Sequence, residues 1–314
     1  MSIHTSSPIQ ELHNALFLKK NIRLWIKRDD LIHPVIQGNK WRKLKYNIQE
    51  AQRIQKKYLL TFGGAFSNHI HATAAAGEYF GIKTIGIIRG EEVHPLNPTL
   101  AYARQSGMQL QFVDRKTYRL KEKLLSELDF FSASQINLQE DCYVIPEGGT
   151  NSFAIKGCEE LAKEIKNQME TPPDFVTLSC GTGGTITGVI SELNNTSHIL
   201  GFPALKGNFL KKEIEILLTK NNTHSKKNNW SLQTDYHFGG YAKFDKKLIG
   251  FINTFKRDFN IQLDPIYTGK MMYGIFDLIQ KDFFKNGSQI VVIHTGGLQG
   301  IAGFNQRFHF PLKE

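Results

Sequence analysis

The stretch DFVTLSCGTGGTITG, residues 174–188, carries an apolar run into a glycine-rich turn and straight out into a helical pattern. A short buried strand opening directly into a helix is the repeating unit of α/β architecture. The same rhythm recurs on both sides of it. YLLTF (58–62) precedes SNHIHATAAAGEYFG (67–81), and KTIGIIRG (83–90) precedes NPTLAYARQSG (97–107). LQFVD (110–114) follows, and CYVIPEGG (142–149) leads into SFAIKGCEELAKEI (152–165). Further on stand HILGFPAL (198–205) and QIVVIHTGG (289–297), the second an almost unbroken apolar run of the kind buried on both faces of a parallel sheet. An α/β fold with two wound, mainly parallel sheets is predicted. With 314 residues the chain is long enough for two domains. TKNNTHSKKNNW (219–230) is the one stretch that reads as a loose surface loop, too polar to bury apolar area. No fixed-period repeat is present.

The turn in the opening stretch can hold an anion. Unpaired backbone N–H groups and the helix dipole meet where a strand runs into a helix. Gly181, Gly183 and Gly184 permit close backbone approach, and Thr182 and Thr185 offer hydroxyls. A dinucleotide fingerprint is excluded because Ile186 stands where the third glycine belongs, and a Walker A loop because Val189 follows Gly188 in place of Lys-Ser/Thr. A small phosphate monoester remains, beside the plain alternative of an ordinary glycine-rich turn.

A formal charge of +10 and a pI near 9.3 permit an acidic partner without requiring one. Three cysteines, Cys142, Cys158 and Cys180, lack CxxC or zinc-ligand spacing, so neither a disulfide framework nor a metal is expected. No stretch approaches the roughly twenty apolar residues that a bilayer requires, and the start MSIHTSSPIQELHN does not resemble a signal segment. A cytoplasmic protein without membrane contact is expected.

GNKWRKLKYN (38–47) crowds four cations around one tryptophan, and reads either as a nucleic-acid grip or as the setting of a catalytic lysine. Trp41, Leu44, Ile48 and Ala51 fall at helical spacing, with Gly38 and Asn39 as turn and capping residues upstream. Lys40 and Lys43 then lie one turn apart, while Arg42 and Lys45 project elsewhere. TFGGAFSNHIHATAAAG (61–77) repeats the strand, loop and helix plan, with Ser67 and Asn68 at the helix mouth and an N-terminus open to a carboxylate. His69 and His71, two apart, make a poor metal pair and read as structural. LDPIYTGKMMYG (263–274) and VVIHTGGLQG (291–300) place Tyr267, Thr268, Thr295 and Gly296 near strand ends, where α/β ligands collect. Each segment alone also has a purely structural account.

In order and spacing, GNKWRKL, GGAFSNH, PEGGTN, CGTGGT, DPIYTGK and HTGG together resemble the D-cysteine desulfhydrase and 1-aminocyclopropane-1-carboxylate deaminase family of pyridoxal 5'-phosphate enzymes, from about Asp29 to Gly297. That resemblance implies fold type II, as in the tryptophan synthase β-subunit: two three-layer α/β/α domains, a smaller substrate-side one over 43–150 and a larger cofactor-binding one from 1–42 with 151–314. It implies that Lys40 forms the Schiff base with pyridoxal phosphate, and that Lys43 holds the phosphate with the loop Gly181, Thr182, Gly183, Gly184 and Thr185. By the same resemblance Asn68 meets the 3-hydroxyl, Ser67 meets the substrate carboxylate or assists proton transfer, and Tyr241 (in GGYAKFD) and Tyr267 flank the substrate. Thr268 or Thr295, the latter beside Gly296, faces the pyridine nitrogen. A homodimer is also implied.

Two departures bear on the reaction. Ring-opening deaminases carry an acidic residue directly after the tyrosine of DPxY, where Thr268 stands here, so β-elimination on a small amino acid such as D-cysteine is expected, with ring-opening deamination as the alternative. Phe66 occupies a place where many members have Gln. From other classes, a basic nucleic-acid-binding protein accounts for the charge but leaves the glycine loops without a purpose, and a silent cofactor carrier accounts for the loops without chemistry.

Overall fold

The computed structural model describes residues 6–126, 136–193, 196–221, 229–308 and 312; of the predicted surface loop at 219–230, positions 222–228 lie outside the described residues. The first half of the chain runs β1 (Ile9–Leu12), α1 (Ala15–Lys19), β2 (Arg23–Lys27), α2 (Asn39–Arg53), β3 (Tyr58–Gly64), α3 (Asn68–Phe80), β4 (Lys83–Arg89), α4 (Pro98–Gln105), β5 (Met108–Val113), α5 (Leu138–Asp141) and β6 (Cys142–Ile145). The second half runs α6 (Ser152–Gln168), β7 (Phe175–Cys180), α7 (Gly184–Glu192), β8 (His198–Pro203), α8 (Phe209–Lys220), β9 (Trp230–Leu232), α9 (Lys246–Phe259), α10 (Thr268–Gln280), β10 (Gln289–Ile293) and α11 (Gly300–Phe308).

Two sheets form. One has the order β1-β2-β10-β7-β8-β9, parallel except for the edge pair β1/β2, and the other the order β5-β4-β3-β6, parallel throughout. Its apolar composition allows β10 to sit between β2 and β7, with Ile290 to Ile293 fully buried. Separate apolar clusters cover the faces of each sheet. Leu24, Ile26, Val292 and Met271 lie in one, Val176, Leu178, Ile190 and Val291 in another, and Leu60, Phe62, Ile85 and Ile87 in a third on the smaller sheet. Among the described residues no helix is long and apolar enough to cross a membrane. The three cysteines are buried and unlinked.

Helix α2 joins the two sheets, and three features hold it. Its N-cap, Gly38, has φ +56°, and a Cβ there would lie 2.1 Å from the Thr295 carbonyl oxygen, so only glycine lets the helix start against the end of β10. Gly157 of α6 admits the Arg42 carbonyl so closely that a Cβ would stand 1.9 Å from it. At the same crossing Arg42 is itself buried, its guanidinium bonded to Asp29 at 2.8 Å and to Glu164, which also accepts from the buried Lys27 ammonium at 2.7 Å. A buried cation with two carboxylate partners fixes the helix in one register, because either charge left alone would be strongly unfavourable. The expected apolar face is present in Leu44, Ile48 and Ala51.

Candidate active site

The carboxyl ends of β7 and β10, the N-termini of α2, α3 and α7 and the turn before α10 converge on one cleft. Its wall includes Lys40, Lys43, Ser67, Asn68, Gly181, Thr182, Gly183, Thr185, Tyr241, Tyr267, Thr295 and Gly296. Residues predicted from six separate segments thus meet in space. Gly184 stands just behind, where a Cβ would press on Lys43 Nζ at 3.1 Å and on the Thr150 side chain at 2.9 Å.

Lys40 projects from the first turn of α2, its Nζ 3.2 Å from Asn39 Oδ1. Burial, reinforced by the neighbouring Lys43 ammonium, brings the Lys40 amine down from its ordinary value to about 7. One turn on, Lys43 Nζ donates to Gly148 O (2.9 Å), Thr150 Oγ1 (3.0 Å) and Thr182 Oγ1 (3.3 Å), and burial lowers its pKa as well. All three acceptors are neutral, and among the described residues no carboxylate pairs with this ammonium beside the glycine loop.

In that loop Gly183 is left-handed at φ +85° and no side chain caps α7. The first amides of the helix are therefore open to an anion, with the Thr182 and Thr185 hydroxyls and Lys43 at hand. Opposite, Ser67 caps α3 by accepting from His69 N (3.2 Å) and Ile70 N (3.3 Å), which leaves its hydroxyl hydrogen free to donate. The Asn68 carbonyl accepts from Gln299, which orients the amide nitrogen of Asn68. Tyr241 and Tyr267 stand with ring centroids 6.1 Å apart at 69°. Burial raises both phenol pKa values, that of Tyr267 well above the ordinary range, so both remain O–H donors. Lys270 holds the turn that carries Tyr241, donating to His237 O and Gly240 O at 2.8 Å each, with burial lowering its pKa to about 8.

Two expectations need correction, and a third residue gains a place on the wall. Thr268 does not reach the cleft wall: fully buried, its hydroxyl donates to Asp264 Oδ1 (2.7 Å) and accepts from the Asp264 N–H (2.9 Å), closing the turn that presents Tyr267. Thr295 is the one that lines the cleft, 3.2 Å from Ser179 Oγ. Asn39 makes no cap; it is the first residue of α2, and its amide nitrogen donates to Thr185 Oγ1 at 3.0 Å, tying α2 to the glycine loop. His69, read as structural, is on the wall. The Thr61 hydroxyl donates to Ile145 O, so His69 Nε2 carries the proton that bonds Thr61, and Nδ1 is a buried acceptor without a hydrogen-bond partner among the described residues. Burial and the nearby Lys40 and Lys43 charges hold this imidazole neutral. Ser179, Thr150 and Gln299 had no role from sequence, although all three lie inside or beside the quoted motifs.

These residues fit pyridoxal phosphate group by group: open amides, two hydroxyls and an unmatched ammonium for a phosphate, an amine titrating near neutrality for an aldehyde, and the Thr295 and Ser179 hydroxyls for a ring nitrogen. The comparisons with known proteins agree. Residues 3–296 match the model of the family described as pyridoxal-phosphate dependent enzyme. The bifunctional D-cysteine desulfhydrase/1-aminocyclopropane-1-carboxylate deaminase of Arabidopsis thaliana is 30% identical, over 95% of this chain and 78% of its own. The D-cysteine desulfhydrase of Klebsiella pneumoniae is 28% identical over 90% and 89%. The crystal structure of a 1-aminocyclopropane-1-carboxylate (ACC) deaminase homologue superposes with a TM-score of 0.82 at 28% identity, covering 97% of this chain and 93% of that one. Threonine deaminase isoform 2 of Solanum lycopersicum shares the fold, with a TM-score of 0.68 at 15% identity, over 98% of this chain and 88% of its own. By the family match over nearly the whole chain, and by a cleft with a place for each part of the cofactor, this protein belongs to the pyridoxal-phosphate dependent enzymes of fold type II.

Proposed function

We propose that this enzyme carries out β-elimination on a small amino acid, D-cysteine or a related D-amino acid, giving pyruvate, ammonia and the leaving group, which is sulfide for D-cysteine. The observation that carries this is a cleft in which the Lys40 amine titrates near 7 and whose wall has hydroxyl and amide groups but, among the described residues, no carboxylate. Pyridoxal phosphate, when bound, supplies an aldehyde that condenses with amines and a ring that takes up the electron pair left by a departing α-proton.

The chain's own residues do the rest. Lys40 Nζ is the amine for the aldehyde and, neutral near pH 7, the base for the α-proton. The amides of 181–185, the Thr182 and Thr185 hydroxyls and the Lys43 ammonium hold the phosphate. Asn68 donates to the 3-oxygen, and Ser67 turns its hydroxyl hydrogen to the substrate carboxylate. Tyr241 and Tyr267 bracket the substrate as protonated phenols, while Thr268 acts through Asp264 by setting the Tyr267 turn. Thr295, at Gly296, stands at the ring nitrogen with Ser179. A neutral hydroxyl does not keep that nitrogen protonated, which favours discharge of the electron pair by expulsion of a β-substituent over ring opening.

Residues 43–150 then form the smaller domain, and 1–42 with 151–314 the larger. The same proposal includes a cytoplasmic homodimer, checked by light scattering and cell fractionation. The purified protein should absorb near the visible edge, lose that absorbance with borohydride, and lack it as Lys40→Ala. D-cysteine and 3-chloro-D-alanine should yield pyruvate. Release of 2-oxobutanoate from 1-aminocyclopropane-1-carboxylate at a comparable rate would overturn elimination in favour of ring opening.

A further inference from the structure

Outside the cleft lies a wider vestibule, and the two share Asn68, Tyr241 and Gly297 on their walls. Four arginines ring it: Arg89 from β4, Arg115 and Arg119 after β5, and Arg307 from α11. Each is exposed, and among the described residues none has a carboxylate within ion-pair distance, whereas Arg23, Arg28, Arg42, Arg53, Arg104 and Arg257 all do. Two of the four lie over aromatic rings at cation–π distance. The Arg89 guanidinium sits 5.5 Å over the Tyr118 ring, and that of Arg307 lies 5.9 Å from the Phe66 ring and 5.1 Å from that of Phe308. A guanidinium attracted to a ring and without a carboxylate partner still has N–H groups to offer a planar anion.

Two carboxylates also line the vestibule. Asp264 is committed to the backbone amides of Ile266, Tyr267 and Thr268 and to the Thr268 hydroxyl, and Glu147 stands close enough to Tyr118 to raise its phenol pKa, after burial. Four guanidinium groups around two engaged carboxylates are more positive than a substrate as small as cysteine requires, since its own carboxylate is met inside the cleft.

We infer that the vestibule is a subsite for an anionic group carried on the leaving group, so that the preferred substrate is a β-substituted alanine whose substituent ends in a carboxylate or phosphate. This rests on the elimination proposed above. The Cα–H and Cβ–X bonds break, the proton passes to Lys40 Nζ, and the electron pair of Cβ–X departs with X, which keeps its anionic tail. Water then completes the 2-oxo acid and ammonium. Phe66, on the vestibule wall beside Arg307, offers an apolar surface for the linking carbons.

The test compares kcat/KM for S-carboxymethylcysteine and S-ethylcysteine, matched in length, as both enantiomers. The charged compound is expected to be favoured at least tenfold at low salt, with the preference shrinking as NaCl screens the exposed arginines. Combining Arg89→Gln, Arg115→Gln, Arg119→Gln and Arg307→Gln should bring the ratio to within about twofold. Cofactor loading cancels, because the ratio is taken within one preparation. A ratio near one in the unaltered protein, or one that survives the four substitutions, overturns the inference. So does turnover of 3-chloro-D-alanine with neither thioether. A protein that turns over none of the three sinks the elimination itself.

Discussion

At the scale of single residues the deciding feature is one amine made neutral. Among the described residues no carboxylate stands beside Lys40, so burial sets its pKa near 7, and the Lys43 ammonium pushes the same way. Condensation of the apoprotein with pyridoxal phosphate should therefore rise with pH to a midpoint near 7 and then level off, rather than climbing toward the ordinary lysine value. In Lys43→Met the opposing charge is gone and the midpoint should move upward, though it stays well below 10 because burial is the larger cause. Stopped-flow absorbance against pH measures both, and a midpoint that fell in Lys43→Met would contradict the assignment. The linkage to stability has the matching sign. A lysine held below its unfolded pKa costs most where both states are protonated, below about pH 7, and the cost is relieved as pH rises toward the ordinary value. The motif around Lys40 was legible in the sequence. A lowered amine pKa is expected from the role that the resemblance implies, and the structure adds which residues bury it, many of them 100 and more positions away.

Among the elements, helix α2 sets the spacing between Lys40 and everything it must meet. It crosses α6 where Gly157 lets the two backbones touch. Gly157→Ala puts a Cβ 1.9 Å from the Arg42 carbonyl, a backbone atom that cannot yield without shifting the helix. A loss of about 2–3 kcal/mol is expected, together with weaker cofactor binding as Lys40 and Lys43 move off the glycine loop. Gly250→Ala, on an exposed part of α9 with nothing within 4 Å of the added carbon, is the matched control and should stabilise by up to about 1 kcal/mol. Denaturant midpoints of the two variants check this, and equal midpoints would mean the crossing is not tight. Strand and helix positions were legible from periodicity, β10 above all. The antiparallel edge pair β1/β2 was not, and Asn39 was read as a cap, since local chemistry cannot tell a side chain that caps its own helix from one that reaches to Thr185.

For the whole molecule, the place proposed for the cofactor draws on both sheets: Ser67 and Asn68 follow β3 of one, while the 181–185 loop and Thr295 follow β7 and β10 of the other. Binding should therefore stabilise the molecule as one unit. At a hundredfold excess of pyridoxal phosphate over its Kd the gain is about 2.7 kcal/mol, and differential scanning calorimetry should show a single transition moved upward by several degrees. Two transitions, only one of them cofactor-sensitive, would place the binding groups on one sheet alone.

The sequence by itself determined the α/β class, the order of strands and helices, the anion-ready turn at Gly181 to Thr185 and the pairing of Lys40 with Lys43, because each depends on residues close along the chain, where hydrophobic period and glycine placement leave a local record. Only the tertiary structure decided that Thr295 and not Thr268 lines the cleft, that Lys43 faces three neutral acceptors, that Arg42 is buried between Asp29 and Glu164, and that four arginines surround the entrance. Those contacts join residues far apart in the chain. Their energies come from burial and charge in three dimensions, which no local pattern of residues encodes.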